Sequence, residues 1–116
     1  MLKIKKQSKP IANLKKGDKI VVDGHTLEID GHYVFMEHKD TTEMIIELFN
    51  PKTEKEYQLR YFNDQVESSL EFYYLQGEFQ YIKAESVKEI EWWFLDLELS
   101  VRGFANDIKQ LSKCFS

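Results

Sequence analysis

Three histidines, His25, His32 and His38, are the side chains whose type and spacing could do chemistry in this chain. They lie close to two carboxylates, Asp30 and Glu37, and imidazole with carboxylate is a common ligand set for zinc. His32 and His38 would share one face of a strand, but six residues of extended chain span roughly 20 Å. Ligands of one ion must converge to about 2 Å from it. The spacing therefore favours histidines with structural roles, and we predict no metal site and no cofactor.

Serines and paired acids offer no recognisable catalytic set. Nucleophilic catalysis needs a nucleophile, a base and an orienting group within reach of one another. Ser68, Ser69 and Ser100 stand in no such signature, and no glycine-rich loop that could cradle a phosphate is present. Glu89 and Glu91 lie two residues apart and would point the same way on a strand, which is typical of a solvated face. The sequence therefore predicts a protein that is not an enzyme.

Composition places the chain among single-domain globular proteins. It has 116 residues, of which 42 % are hydrophobic, 14 % aromatic and 31 % charged, with only 2 prolines and 5 glycines. These values provide enough apolar material for a core and argue against disorder. No apolar run approaches the ~18 residues that cross a bilayer. Cys114 is the single cysteine and cannot form an internal disulfide, so we expect a cytoplasmic protein without membrane association.

Charge is distributed unevenly along the chain. Residues 1–19 carry seven lysines and one acid, whereas the remaining 97 residues carry nine basic and nineteen acidic side chains. An acidic body repels phosphate backbones, but the basic segment could contact RNA, the ribosome or an acidic protein surface. The simpler alternative is a solvated terminus. The candidate nucleic-acid-binding residues are Lys3, Lys5, Lys6, Lys9, Lys15 and Lys16.

Alternating apolar and polar residues predict short strands separated by turns from Lys19 to about residue 82. Their spacing of 8–14 residues favours a barrel or a sandwich. In the longest segment, His25–His38, Gly31 interrupts the alternation and is predicted to mark a bulge or a sharp bend. The positions of this segment that are expected on the core face are Leu27, Ile29, Tyr33 and Phe35. Six aromatic residues are predicted to fill the barrel: Tyr57, Tyr61, Phe72, Tyr74, Phe79 and Tyr81.

The C-terminal third carries two competing patterns. Alternation over residues 88–94 fits a strand, whereas Ser86 as an N-cap with Glu89 completing a capping box fits a helix. The helical alternative continues as an apolar stripe with three-four spacing. The prediction that combines both patterns is a strand to about residue 95–99, followed by a helix from about Ser100.

Two turn motifs support a more specific resemblance. Residues 13–18, Asn-Leu-Lys-Lys-Gly-Asp, precede a strand and the turn Asp23-Gly24, and Asn50-Pro51-Lys52-Thr53 precedes a later strand. Over residues 12–83 this order resembles the N-terminal barrel of translation elongation factor P and its archaeal and eukaryotic counterpart. The resemblance implies an SH3-like fold. In that family a modified lysine or arginine sits on a glycine-rich loop; the corresponding loop here has no glycine, and Lys39 is its only candidate.

We therefore predict a mainly β protein, a small antiparallel SH3-like β-barrel with a C-terminal α-helix. Residues 1–12 would form a basic arm, residues 13–95 the barrel, and residues 96–116 a helix that packs on the barrel or on a partner.

Apolar side chains outside the predicted core are the remaining functional signal, because exposed rings can anchor a peptide or stack on bases. The candidate protein-binding residues are Val34, Met36, Phe62, Tyr73, Trp93, Phe104, Ile108 and Leu111. The predicted function is a non-enzymatic cytoplasmic binding module that holds a protein partner or a second copy of itself. The alternative is RNA or ribosome association through the lysines.

Overall fold

The computed structural model describes residues 2–93, and they form mainly β structure, as predicted. The strands are β1 (Lys3–Gln7), β2 (Lys19–Val22), β3 (His25–Glu37), β4 (Thr42–Phe49), β5 (Glu56–Phe62), β6 (Glu71–Gln76), β7 (Gln80–Lys83) and β8 (Glu89–Trp92). A 3₁₀ helix, Ile11–Asn13, precedes β2, and a four-residue helix α1, Val66–Ser69, precedes β6. Neither helix in this part of the chain has the length or apolar character needed to cross a membrane.

All eight strands belong to one sheet in the order β1-β8-β2-β3-β4-β5-β6-β7. Neighbouring strands are antiparallel except for β1 and β8, which are parallel. The sheet curls into a half-barrel. After β7 the chain crosses back to β8 on the far side of the sheet. Within residues 2–93, β1 and β7 therefore remain the two sheet edges, and the sheet is an open half-barrel where a closed barrel was predicted.

The hydrophobic core lies on the inner face of the curled sheet. Paired residues on neighbouring strands share a face, and alternate residues of each strand point inward. Each fully buried aliphatic side chain contributes roughly 1.5–3 kcal/mol through removal from water. The largest fully buried side chains are Trp92, Tyr61, Ile20, Ile29, Ile46, Leu48, Leu59 and Ile90.

Strand β3 changes its facing twice because two bulges interrupt it. Its register against β4 shifts at Gly31, which confirms the predicted bulge, and again between Val34 and Met36. An extra residue inverts the alternation of side chains beyond it. The residues before Gly31 are buried as predicted, but Tyr33 and Phe35 are 45 % and 48 % exposed. Their predicted place in the core is therefore wrong, and the first bulge is the reason.

The aromatic residues predicted to fill the barrel divide between the core and the surface. Tyr61 and Phe72 are buried, and Tyr57 stacks on Phe72 with ring centroids 5.4 Å apart. Tyr74 is 39 % exposed. The prediction is wrong for Phe79, which is 90 % exposed because it lies in the turn between β6 and β7 and not in the strand.

The segment predicted to be a basic arm is instead part of the sheet. β1 pairs with β8, the backbone N–H of Lys3 donates to the Lys88 carbonyl at 2.9 Å, and that of Ser8 donates to the Trp92 carbonyl at 3.0 Å. Leu2 is buried and Ile4 packs against the core. These two apolar residues alternate with lysines, as in a strand that has one face towards the core. The high charge of the segment made this alternation difficult to recognise in the sequence.

At the other end of the described chain, the two competing patterns after Ser86 are resolved. Residues Glu89–Trp92 form strand β8 and not a helix. The Asp23 carboxylate accepts backbone hydrogen bonds from Lys88 at 3.1 Å and from Glu89 at 2.8 Å, which ties the turn between β2 and β3 to the start of β8. The predicted helix of residues 96–116 lies outside the described residues.

Candidate functional site

Two rows of paired side chains cross the outer face of the sheet, on the side away from the core. One row joins Tyr33, Ile45, Arg60 and Glu71, and the next joins Glu47, Gln58, Tyr73 and Lys83. Strand register alone brings these residues together from five strands. The outer-face cluster is defined as these residues with two neighbouring rings: Tyr33, Phe35, Ile45, Glu47, Gln58, Arg60, Glu71, Tyr73, Tyr81 and Lys83.

Arg60 is held rigidly at the centre of the outer-face cluster. Its guanidinium carbon lies 4.1 Å from the ring centroid of Tyr73 and 5.1 Å from that of Phe35. Its Nε and Nη2 atoms donate to Gln58 Oε1 at 3.0 and 2.8 Å. Gln58 is buried and its Nε2 atom donates to Glu47 at 3.4 Å. Cation–π contacts contribute about 0.5–1 kcal/mol each at exposed sites, so the rings and the amide together fix the orientation of Arg60.

Glu71 completes the cluster as a charged acceptor. Its carboxylate accepts a hydrogen bond from the Tyr73 hydroxyl at 2.8 Å and lies 3.2 Å from Lys83 Nζ. Burial alone would raise the pKa of Glu71, but the hydrogen bonds from Tyr73 and Lys83, with the charges of Lys83 and Arg60, outweigh it and lower that pKa. Burial and the Glu71 carboxylate raise the pKa of the Tyr73 phenol. Glu71 therefore stays ionised and Tyr73 neutral near pH 7.

The cluster is packed at its centre, where Ile45 and Gln58 are buried, and partly exposed at its margin. Ile45 points away from the core, yet it is only 3 % exposed. Burial and a hydrogen bond to Glu47 raise the pKa of Tyr33, and burial together with the Glu47 and Glu56 charges raises the pKa of Tyr81. Both phenols thus remain hydrogen-bond donors. A surface of this kind presents fixed aromatic rings and one fixed guanidinium.

Four consecutive apolar residues of β3, two of which also belong to the outer-face cluster, are half-exposed, and we call them the β3 ridge: Tyr33, Val34, Phe35 and Met36. Their exposed fractions are 45 %, 49 %, 48 % and 51 %. β2 pairs only with the first part of β3, up to Glu28. At Ile29 the contact ends with two backbone hydrogen bonds, one from Gly17 to the Ile29 carbonyl and one from Ile29 to the Asp18 carbonyl.

Beyond Ile29, no strand within residues 2–93 pairs with β3 on the side opposite β4. Successive residues of an antiparallel strand direct their backbone N–H and C=O groups alternately to either side. About half of the backbone polar groups of residues 31–37 are thus directed to an edge that no other described strand pairs with. This edge is a template onto which another extended chain can pair.

His32 has a structural contact on each ring nitrogen. Its Nδ1 atom lies 2.7 Å from the Leu14 carbonyl, which can only accept, so Nδ1 carries the proton and donates. Nε2 lies 2.7 Å from the Tyr61 hydroxyl and in the neutral ring accepts from it. Burial raises the pKa of Tyr61 to about 12, which keeps this donor protonated. Within residues 2–93, no three histidine, cysteine or acidic side chains converge as a metal site would require.

The structure brings together part of the predicted protein-binding set. Met36, Phe62 and Tyr73 lie on the outer face, where the Phe62 ring is 5.7 Å from that of His38. Val34 pairs with Met44 and therefore lies on the opposite face of β3.

The rest of the predicted set lies elsewhere. Trp93 follows β8, two strands away from β3 in the sheet, and the Lys6 ammonium is 5.4 Å from its ring centroid. Phe104, Ile108 and Leu111 lie outside the described residues.

The lysines predicted to bind nucleic acid are partly engaged within the protein. Lys9 pairs with Asp18 at 2.8 Å, and Lys5 lies 3.9 Å from Glu91. Lys3, Lys15 and Lys16 are exposed. RNA or ribosome association stays a prediction.

Sequence reasoning missed Gln58, Arg60 and Glu71. Alternation along β5 and β6 places these residues on the face opposite the core, so their outward position could be predicted from the sequence. Their convergence into one cluster could not be predicted, because it depends on the register between strands.

Replacement of Arg60 by alanine is expected to lower the free energy of unfolding by about 1–3 kcal/mol, because buried Gln58 Oε1 then loses both donors. Arg60→Lys keeps the positive charge but not the paired N–H geometry, so we expect an intermediate decrease in the free energy of unfolding. Urea denaturation measures both values. Lys52→Ala, an exposed lysine in the turn before β5, is the matched control. Equal stability of Arg60→Ala and wild type would contradict the described role of Arg60.

Comparison of the chain with protein-family models, curated proteins and solved structures finds no match. The functional assignment therefore rests on the geometry of the outer face and of the β3 edge.

Proposed function

We propose that this chain is a non-enzymatic protein-binding module that accepts an extended polypeptide along the free edge of β3. The observation that carries the proposal concerns residues 31–37: a backbone edge that is unpaired within residues 2–93 coincides there with the half-exposed apolar side chains of the β3 ridge. In strand addition, main-chain hydrogen bonds supply affinity and the flanking side chains supply specificity.

A strand added at the β3 edge would find apolar side chains of the β3 ridge on both faces of the sheet. Val34 lies on the inner side with Met44, whereas Tyr33 lies on the outer side with Ile45. Next to the ridge, the outer-face cluster presents Arg60 in fixed orientation. Tyrosine and arginine with restricted side chains are typical of residues that dominate binding energy at interfaces.

The two terminal strands of the described sheet, β1 and β7, and the unpaired part of β3 differ in how they are protected. Natural edge strands avoid unwanted pairing by short length, lysines, prolines or bulges. β1 carries Lys3, Lys5 and Lys6, and β7 is four residues long and ends at Lys83. Residues 31–36 of β3 contain no lysine, acid or proline, and the bulge between Val34 and Met36 is the one such feature within them. The lack of charged side chains on this edge supports a functional use of it.

Selection from a library of random ten-residue peptides tests the proposal. We expect the wild-type protein to enrich peptides rich in β-branched and aromatic residues. Their affinity, measured by fluorescence polarisation at nanomolar protein, should fall at least about tenfold in the double variant Val34→Lys/Met36→Lys, where two charges enter the apolar contact. Hydrogen exchange on the bound wild type should show new protection within residues 31–37.

The matched control is Phe79→Lys, which changes the most exposed aromatic residue of the described chain at a site far from β3 in the sheet. This variant should keep wild-type affinity, and urea denaturation verifies that all variants are folded. Selected peptides that bind the double variant as tightly as wild type, or a selection that enriches no peptide, would refute the proposal.

A further inference from the structure

The concave face of the half-barrel is only partly covered within residues 2–93. One row of paired residues crosses this face from β4 to β7 and contains Leu48, Tyr57, Tyr74 and Ile82. Leu48 is 2 % exposed, whereas Tyr74 on β6 is 39 % exposed. The apolar surface of the core therefore continues, open to solvent, towards the β7 side of the described sheet.

Two adjoining cavities lie on this open surface, at the end of the sheet where β4 turns into β5. Their volumes are about 580 and 430 Å³. Lys55, Tyr57, Phe72 and Val87 line both of them, so the two cavities form one trough, which we call the end trough. The stacked rings of Tyr57 and Phe72 belong to its wall. Small-molecule sites bury roughly 70–90 % of their ligand, so a trough that is open along one side suits a longer occupant.

We infer that residues 100–116 of this chain dock in the end trough and cover it. Apolar residues recur in this segment at three-four spacing and would form one stripe on a helix: Val101, Phe104, Ile108, Leu111 and Phe115. Such a stripe matches the apolar wall of the trough. The end trough adjoins the start of β3, whereas the β3 ridge lies towards the other end of that strand, so this inference is independent of the proposed function.

Charge adds to the apolar match. The carboxylates that line the end trough are Asp23, Glu54 and Glu56, and they lie beside one lysine, Lys55. None of these three acids forms an ion pair with a described lysine, arginine or histidine. Residues 100–116 carry three basic side chains and one acid. The rim of the trough and the segment are therefore opposite in charge, and they attract one another.

The described chain ends within reach of the end trough. Val87 lines the trough two residues before β8 begins, and β8 spans roughly 13 Å. Residues 94–99 can span about 20 Å when extended, which is enough to return along β8. A tethered segment acts at an effective concentration on the order of millimolar, which favours this occupant over a second copy or a separate partner.

A probe on Cys114 tests the inference in the full chain. Cys114 is the single cysteine and belongs to the segment, so a nitroxide can be attached without any substitution. In the isotope-labelled protein, the nitroxide removes the amide signals of residues close to it. We expect loss of signal within residues 53–57 and 84–87, which border the trough. The signals of residues 36–42, separated from it by the roughly 26 Å length of β4, should be retained.

Variants of the apolar stripe identify the contact. Phe104→Asp/Ile108→Asp places two charges in the stripe and should restore the lost signals, because the charges cannot enter an apolar trough without cost. Asn106→Asp/Gln110→Asp is the matched control, since it adds the same charges at the same spacing outside the stripe. This control should leave the signal loss as in wild type.

Charge reversal provides a second test that leaves the stripe intact. Lys109→Glu/Lys113→Glu should restore part of the lost signals. Addition of Glu54→Lys/Glu56→Lys to that variant should bring the signal loss back, because the charges on both sides are then exchanged. Glu54 and Glu56 are exposed, so their replacement leaves the core unchanged and this pair of variants decides even if the stripe variant does not fold.

The remaining outcomes overturn the inference. Trough signals that persist in the nitroxide-labelled chain mean that the segment does not dock there. Signal loss that Phe104→Asp/Ile108→Asp leaves unchanged means that the stripe does not make the contact. Signal loss in a mixture of nitroxide-labelled chain with unmodified isotope-labelled chain means that a second copy supplies the segment.

Discussion

Replacement of Trp92 by alanine is expected to lower the free energy of unfolding by about 3–5 kcal/mol, the usual range for truncation of a buried tryptophan. Trp92 is the largest fully buried side chain, at 1 % exposure, and its indole Nε1 donates to the Lys9 carbonyl at 2.9 Å. Both the ring and the hydrogen bond disappear in the variant. Urea denaturation followed by circular dichroism measures the loss.

The neighbouring tryptophan is the matched control for this experiment. Trp93 is 39 % exposed, so Trp93→Ala should cost no more than about 1 kcal/mol. Trp92→Phe keeps an aromatic ring but leaves the Lys9 carbonyl without its donor, and an intermediate loss is expected. If truncation of Trp93 proved as costly as truncation of Trp92, the described facing of β8 would be incorrect.

Deletion of residues 1–8 is expected to destabilise the protein by about 3 kcal/mol or more, because it removes β1. Leu2 leaves the core, and the backbone hydrogen bonds from Lys3 to Lys88 and from Ser8 to Trp92 are lost. Burial of one leucine contributes roughly 1.5–3 kcal/mol, and each hydrogen bond about 0.5–1.5 kcal/mol. Thermal unfolding of the truncated chain against the full chain provides the measurement.

The triple variant Lys3→Gln/Lys5→Gln/Lys6→Gln separates loss of charge from loss of the strand. It removes the same three lysines but keeps β1, so its stability should lie within about 1 kcal/mol of wild type. The same variant is the suitable probe of RNA association, since the deletion also damages the fold. Equal stability of the deletion and of the triple variant would mean that β1 does not contribute to the sheet.

Much of the sheet could be predicted from the local alternation of apolar and polar residues. The strands and facings that were not predicted have local causes. β2, β4 and β5 follow from their period-two patterns, whereas β1 was hidden by its lysines. The bulge at Gly31 was predicted, and it turns Tyr33 away from the core face on which the alternation had placed it. Residues Val66–Ser69 form a helix within the range that was predicted to hold only strands and turns, and the Ser69 hydroxyl accepts a hydrogen bond from the Phe62 N–H at 2.8 Å.

The candidate site was less accessible to sequence reasoning than the fold. Met36, Phe62 and Tyr73 are recognisable in the sequence as apolar side chains outside the predicted core, whereas their polar neighbours carry no comparable signal. The position of Arg60 between Phe35 and Tyr73 depends on the register of four strands, which no local pattern encodes. The open edge of β3 depends on where β2 stops pairing, at Glu28, and that point is also a tertiary property.

The insertion of β8 between β1 and β2 has a consequence for biosynthesis. β1 leaves the ribosome before the other described strands, yet its only strand partner within residues 2–93 is β8, and the Trp92 indole donates to the Lys9 carbonyl, 83 positions earlier in the chain. Strand β1 therefore has no described strand to pair with until nearly all of residues 2–93 have been translated. Topologies dominated by such distant pairings fold slowly. Lysines on an unpaired strand oppose pairing with other chains, so we expect Lys3, Lys5 and Lys6 to protect β1 from such pairing until β8 is available.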